Sequence, residues 1–117
     1  MRKIPTALRQ RMHEKPEYHR CMLTGMAHEK IDWHHAFIYA GRQVNEEWCI
    51  IPLLHSVHEI EKRPHIKERI EWIMLNRATD AELEVYDRRD LKAEREKLNN
   101  KYGTWQPNTY IPIGQLR

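Results

Sequence analysis

Residues 31–58 read IDWHHAFIYAGRQVNEEWCIIPLLHSVH, and this stretch decides the fold. Ile31–His35 is short, apolar-rich and compatible with a strand. Trp48-Cys49-Ile50-Ile51-Pro52-Leu53 is the strongest strand signal in the chain, because β-branched and aromatic side chains fit a pleated surface. Pro52 cannot donate to a ladder, so pairing is expected to end there. Between the two, Ala36–Glu47 holds Gly41, Asn45 and several polar residues and reads as a long loop. Beyond Leu53 the period changes. His55–Lys62 can open a helix, with His58 near its start, and Pro64 interrupts or restarts it. The order is strand, long loop, strand, helix.

The chain has 8 histidines, and His34, His35, His55 and His58 fall within this one segment. A histidine at a strand end and one at a helix start can converge on a divalent ion, each giving a neutral ring nitrogen. Adjacent residues on a straight strand point to opposite faces. His34 and His35 therefore divide the work, one holding metal and the other facing substrate. That division suits phosphodiester hydrolysis, which needs an activated water on one side of phosphorus and neutralised charge on the departing oxygen at the other.

The run Cys21-x-x-Thr24-Gly25, Ile31-Asp32-Trp33-His34-His35-Ala36, Gly41-Arg42-Gln43-x-Asn45-Glu46 and Ile51-Pro52-Leu53-x-x-x-x-His58 resembles phage-encoded HNH nucleases, including small proteins of phage recombination regions. The similarity covers roughly residues 20–80. It implies an α+β fold: a ββα-metal finger with flanking α-helices, mostly helical overall. It also implies an endonuclease or nickase that hydrolyses DNA with one divalent metal ion, Mg or Mn for catalysis with Zn or Ni as alternatives, leaving a 5′-phosphate. By position, His34 and His58 become metal ligands, His35 the base that activates water, and Asn45 the brace of the loop.

The chain departs from that pattern twice. Cys21 has no cysteine two or three residues on, so no structural zinc knuckle is expected and the scaffold must rest on apolar packing. Lys62 stands where some relatives have a third histidine. The expectation is therefore a metal with two protein ligands, His34 and His58. His55 is expected to precede the helix, and His65 lies about two turns from His58, roughly 10 Å along a continuous helix. Both are expected to stay off the metal.

Outside the segment, Ile4, Leu8 and Met12 at spacing four suggest a helix over 4–12, ended by Pro16. Ile66, Ile70, Ile73 and Met74 follow a buried helical face, joined by Trp72. Thr79-Asp80-Ala81-Glu82 reads as an N-cap with acidic residues in the first turn, opening a helix to about Asn100 that Lys101-Tyr102-Gly103 stops. The tail Thr104–Arg117 is expected to lie extended on the surface. The organisation expected is 1–20 as a basic arm or short helix, 21–78 as the nuclease core, and 79–117 as a C-terminal helix and tail.

With 117 residues, 40% hydrophobic and 32% charged, one modest core is affordable. No apolar run is long enough for a membrane helix and the N-terminus lacks a secretory pattern, so no membrane partner is expected. Residence in the cytoplasm is expected, that of a bacterial host if the chain is phage-encoded. Cys21 and Cys49 are expected reduced and packed as small apolar groups. The net charge is only +3, but residues 1–20 carry Arg2, Lys3, Arg9, Arg11, Lys15 and Arg20 against Glu14 and Glu17. Two readings are open: an arm that follows a phosphate backbone, or an ordinary solvated terminus. Arg42 and Gln43 are the better positions for phosphate contact; the mixed charges of Arg88–Glu96 suit a solvated face. Two rival functions also stay open: a non-catalytic nucleic-acid-binding module around a structural zinc, and a recombination accessory protein that works through partners.

Overall fold

The computed structural model describes residues 3–116, so Arg2 of the basic arm and Arg117 of the tail lie outside the described residues. In chain order the elements are α1 (Thr6–His13), β1 (Ile31–His35), β2 (Ile38–Tyr39), β3 (Arg42–Gln43), β4 (Ile50–Leu54), α2 (His55–Glu59), α3 (Pro64–Arg77), α4 (Asp80–Glu84) and α5 (Leu91–Tyr102). β1 pairs antiparallel with β4, and β2 with β3, giving two small sheets. The class is α+β, with more residues in helices than in strands. No helix among the described residues is long and apolar enough to cross a membrane.

β1 has the expected bounds, and its register runs from Ile31 opposite Leu54 to His35 opposite Ile50. The strong strand signal is displaced: Glu47–Cys49 forms a 3-10 turn and the strand itself is Ile50–Leu54. Pairing does not end at Pro52, contrary to expectation. Pro52 sits opposite Trp33, and its carbonyl accepts from Met22 N at 2.9 Å. A strand residue sends its N–H and C=O to the same side. The missing proline donor thus faces away from β1, and the ladder loses nothing.

Three other expectations are corrected. Ala36–Glu47 is not a plain loop, because β2 and β3 form a hairpin whose turn puts both Ala40 (φ 51°) and Gly41 (φ 78°) in the left-handed region. That is the backbone twist two-residue hairpins favour. The helix opened at Thr79 does not run to Asn100. Thr79 and Glu82 form a reciprocal capping box, but α4 ends at Glu84, and Asp90 caps a new helix by accepting from Ala93 N at 3.1 Å. Between them Tyr86 packs onto Phe37 and Tyr39, and the Tyr39 hydroxyl accepts from Arg88 N at 3.1 Å. These contacts pull the chain out of helical register. The tail is not wholly at the surface either, since Ile111 N donates to Leu23 O at 2.7 Å and Leu116 is buried.

All five residues of β4 are buried. Ile51, Leu53 and Leu54 join a main cluster with Val57, Ile66, Ile70, Trp72, Ile73 and Met74, so the helical face read for α3 is core. Ile50 joins a second cluster with Ile4, Leu8, Met12 and Tyr18, against which Trp33 packs. The N-terminal segment thus covers one side of the sheet. Arg77 at the end of α3 fastens the two together, donating to Ile50 O at 2.9 Å and to the Tyr18 hydroxyl.

Cys21 and Cys49 are both buried and free, and burial pushes the Cys49 thiol well above its ordinary range. Since the thiolate is the reactive form, a disulfide-exchange reagent at neutral pH should label neither cysteine until denaturant is added. Rapid labelling of the native chain would contradict the packing described.

Candidate functional site

Side chains alternate along β1, and the alternation sorts the site into two faces. Asp32 and His34 point one way, toward α2. Trp33 and His35 point the other, toward the N-terminal segment. Trp33 Nε1 donates to Tyr18 O at 2.9 Å on that second side.

On the first face the His34 and His58 rings lie 5.0 Å apart between centroids. His34 is only 19% exposed, with Glu61 Oε2 3.8 Å from its Nε2. Burial is the largest influence on His34 and lowers its pKa; Glu61 acts upward and His58 and His35 add to the lowering. His34 is accordingly neutral at pH 7, the form that can donate a lone pair. Asp32, almost buried, accepts at one oxygen from His55 Nδ1 at 2.7 Å and from His58 Nδ1 at 3.0 Å. Burial pushes its carboxyl up, but the hydrogen bonds from His58 and His55 outweigh this and hold it below its usual range.

On the second face His35 is 8% exposed and its Nε2 lies 2.8 Å from Asn45 Oδ1. Asn45 Nδ2 donates to Lys3 O at 3.1 Å. That bond fixes which end of the amide faces His35. An amide oxygen only accepts, so His35 Nε2 carries the proton and Nδ1 keeps the lone pair. The Asn45 amide thus orients the His35 ring.

Of the sequence-predicted residues, His34 and His58 are brought together, and His35 and Asn45 are brought together as a separate pair. Contrary to expectation His55 does not precede the helix but opens α2, and its ring and that of His65 have other partners. His55 Nε2 meets Glu59 Oε1 at 2.8 Å, and His65 Nε2 meets Leu116 O at 3.3 Å. Arg42 is exposed on the hairpin, while Gln43 is half-buried.

Among the described residues no three His, Cys, Asp or Glu side chains form a ready metal cage. The donor set nevertheless fits an open divalent site. A 3.8 Å gap between His34 and Glu61 is too long for a hydrogen bond. It is within the separation of two donors that each sit about 2 Å from one ion. Sequence reasoning missed Asp32 and Glu61. The signal for Glu61 is its place three residues after His58, where two side chains share one helical turn; Glu61 N bonds to His58 O at 3.3 Å and keeps that turn just past the end of α2.

His55 has both ring nitrogens on carboxylates, and its hydrogen bond to Asp32 is the first of the effects that raise its pKa. A raised folded value contributes stability that is full below the unfolded value near 6.5 and is lost as pH rises through the folded one. A histidine NMR titration should therefore place His55 above His34, and Asp32→Ala should lower His55 toward its ordinary value. His55 titrating below His34 would contradict the charged arrangement. No family model, curated protein or solved structure matches this chain.

Proposed function

We propose that the chain is a divalent-metal-dependent endonuclease of the ββα-metal (HNH) type, phage-encoded, that hydrolyses DNA phosphodiester bonds. The observation that carries the reading is the pairing on β1: His34 faces His58, while the adjacent His35 is held by Asn45 with Nδ1 free to take a proton. A structural metal site has no use for a neighbouring histidine braced in that way.

The residues that would hold the cation are His34 and His58, with Glu61 as an added donor. A cation bound there supplies charge neutralisation on the leaving oxygen. His35 takes the proton from the attacking water through Nδ1, and a histidine is suited to this near neutral pH. Asn45 keeps His35 in the productive tautomer. The two faces of β1 meet at the strand edge that β4 does not occupy, and this reading puts the scissile phosphate across that edge. The basic arm and Arg42 are the positive groups available to follow the backbone.

The test is cleavage of supercoiled plasmid with Mg²⁺, Mn²⁺, Zn²⁺ or Ni²⁺ and with EDTA. Expected is nicking or linearisation that EDTA abolishes. Metal binding without cleavage under any of these ions would favour the structural-zinc module instead.

Four substitutions sharpen it. His35→Ala should lower the rate by about 10²- to 10⁴-fold while calorimetry finds Mn²⁺ affinity near wild type. His58→Ala should lose both, and Glu61→Gln should weaken Mn²⁺ binding, overturning the two-ligand expectation. A Glu61→Gln variant with unchanged affinity would remove Glu61 from the donor set. Asn45→Ala should slow cleavage by several-fold, as one hydrogen bond is worth about 1 kcal/mol net, with metal affinity intact; wild-type rates in that variant would exclude the brace.

A further inference from the structure

Four side chains form a hydrogen-bonded chain behind the His34–His58 pair. Glu59 Oε1 meets His55 Nε2 at 2.8 Å, His55 Nδ1 meets Asp32 Oδ2 at 2.7 Å, and the same oxygen meets His58 Nδ1 at 3.0 Å. Asp32 comes from β1 and the other three from α2, so the chain ties the strand to the helix. Glu29 adds to the junction by accepting from Ser56 N at 2.7 Å at the start of α2.

A carboxylate at neutral pH only accepts hydrogen bonds. Both histidines facing Asp32 Oδ2 must therefore present Nδ1–H. For a neutral His58 this leaves Nε2 as the lone-pair nitrogen. His34 lies two residues from Asp32 on the same face of β1, so one strand sets both the first histidine and the group that orients the second.

We propose that Asp32 is a positioning residue that fixes His58 in its Nδ1–H tautomer and so presents Nε2 to the cation, while His55 shares the same carboxylate oxygen without being needed for that role. The inference rests on the nuclease reading only in taking His58 as a ligand; the resemblance gives no role to Asp32, which lies in the matching run, or to His55. A carboxylate behind a ligating histidine fixes ring orientation and raises its basicity, and its loss typically weakens metal binding about 10- to 100-fold.

The order of effects along the chain is specific. Asp32→Ala removes the acceptor itself. His55→Ala leaves Asp32 and its bond to His58 in place, so it should keep Mn²⁺ affinity within about threefold of wild type, on the scale of one net hydrogen bond or less. A general loosening of the fold would weaken both variants alike.

The experiment is a long-range ¹H–¹⁵N spectrum of the metal-free full chain with labelled histidines, alongside Mn²⁺ calorimetry on wild type, Asp32→Ala and His55→Ala. Expected are His58 as Nδ1–H in wild type, loss of that tautomer with about 10- to 100-fold weaker Mn²⁺ binding in Asp32→Ala, and neither change in His55→Ala. The wild-type spectrum needs no substituted chain, so an unstable Asp32→Ala does not block the test. His58 as Nε2–H in wild type, or unchanged Mn²⁺ affinity in Asp32→Ala, overturns the proposal whether or not DNA is cut. A wild type that shows the Nδ1–H form and binds Mn²⁺ but cuts no DNA supports this role for Asp32 and overturns the nuclease reading.

Discussion

Antiparallel pairing of Ile31–His35 with Ile50–Leu54 hands alternate side chains of β1 to opposite faces, and the rest of the structure is arranged around that division. Asp32 and His34 meet the helix that follows β4, while Trp33 and His35 meet the N-terminal segment. A slip of one residue in register would exchange the two sets. Register is held by β4, which is buried along its whole length and has no tolerance for presenting a different face.

The polar groups near the strand are affordable because they are paired. An unpaired buried polar group costs about 1–3 kcal/mol, a large share of the stability of a small domain. His35 is offset by Asn45, and Asn45 in turn by Lys3 O. Asp32 is satisfied twice over by histidines. The apolar mass that supports them is split in two. The main cluster lies under α3 and α5, and a smaller one lies beneath α1, with Arg77 reaching from the first to the second.

Much of this was legible in the sequence because the signals are local. The bounds of β1, the proline at the start of α3, the Thr79 cap and the Gly103 stop each depend on residues within one turn of one another. That a histidine at the end of β1 could approach His58 followed from element order, whereas the choice of His34 and the brace at Asn45 came only with the resemblance, and the partner of Asn45, His35, was not read from the sequence. What escaped was set by partners distant in sequence. Pro52 continues the ladder because Met22 waits for its carbonyl. The helix expected over 80–100 breaks because Tyr86 is claimed by Phe37 and Tyr39. Asp32 gained meaning only when His55 and His58 arrived beside it, and Glu61 only when the end of α2 brought it to His34.

The contact between Asn45 and Lys3 is made to a main-chain oxygen, not to a side chain. Every amino acid carries that oxygen, so position 3 contributes to the proton placement on His35 without its own identity mattering. Sequence drift there leaves that hydrogen bond intact. The demand falls on the path of the chain, which Ile4 and Leu8 set by packing into the second cluster. Residues with no polar atom in their side chains thereby govern a hydrogen bond at the site, and a cavity opened beneath them would be felt first as a misplaced carbonyl.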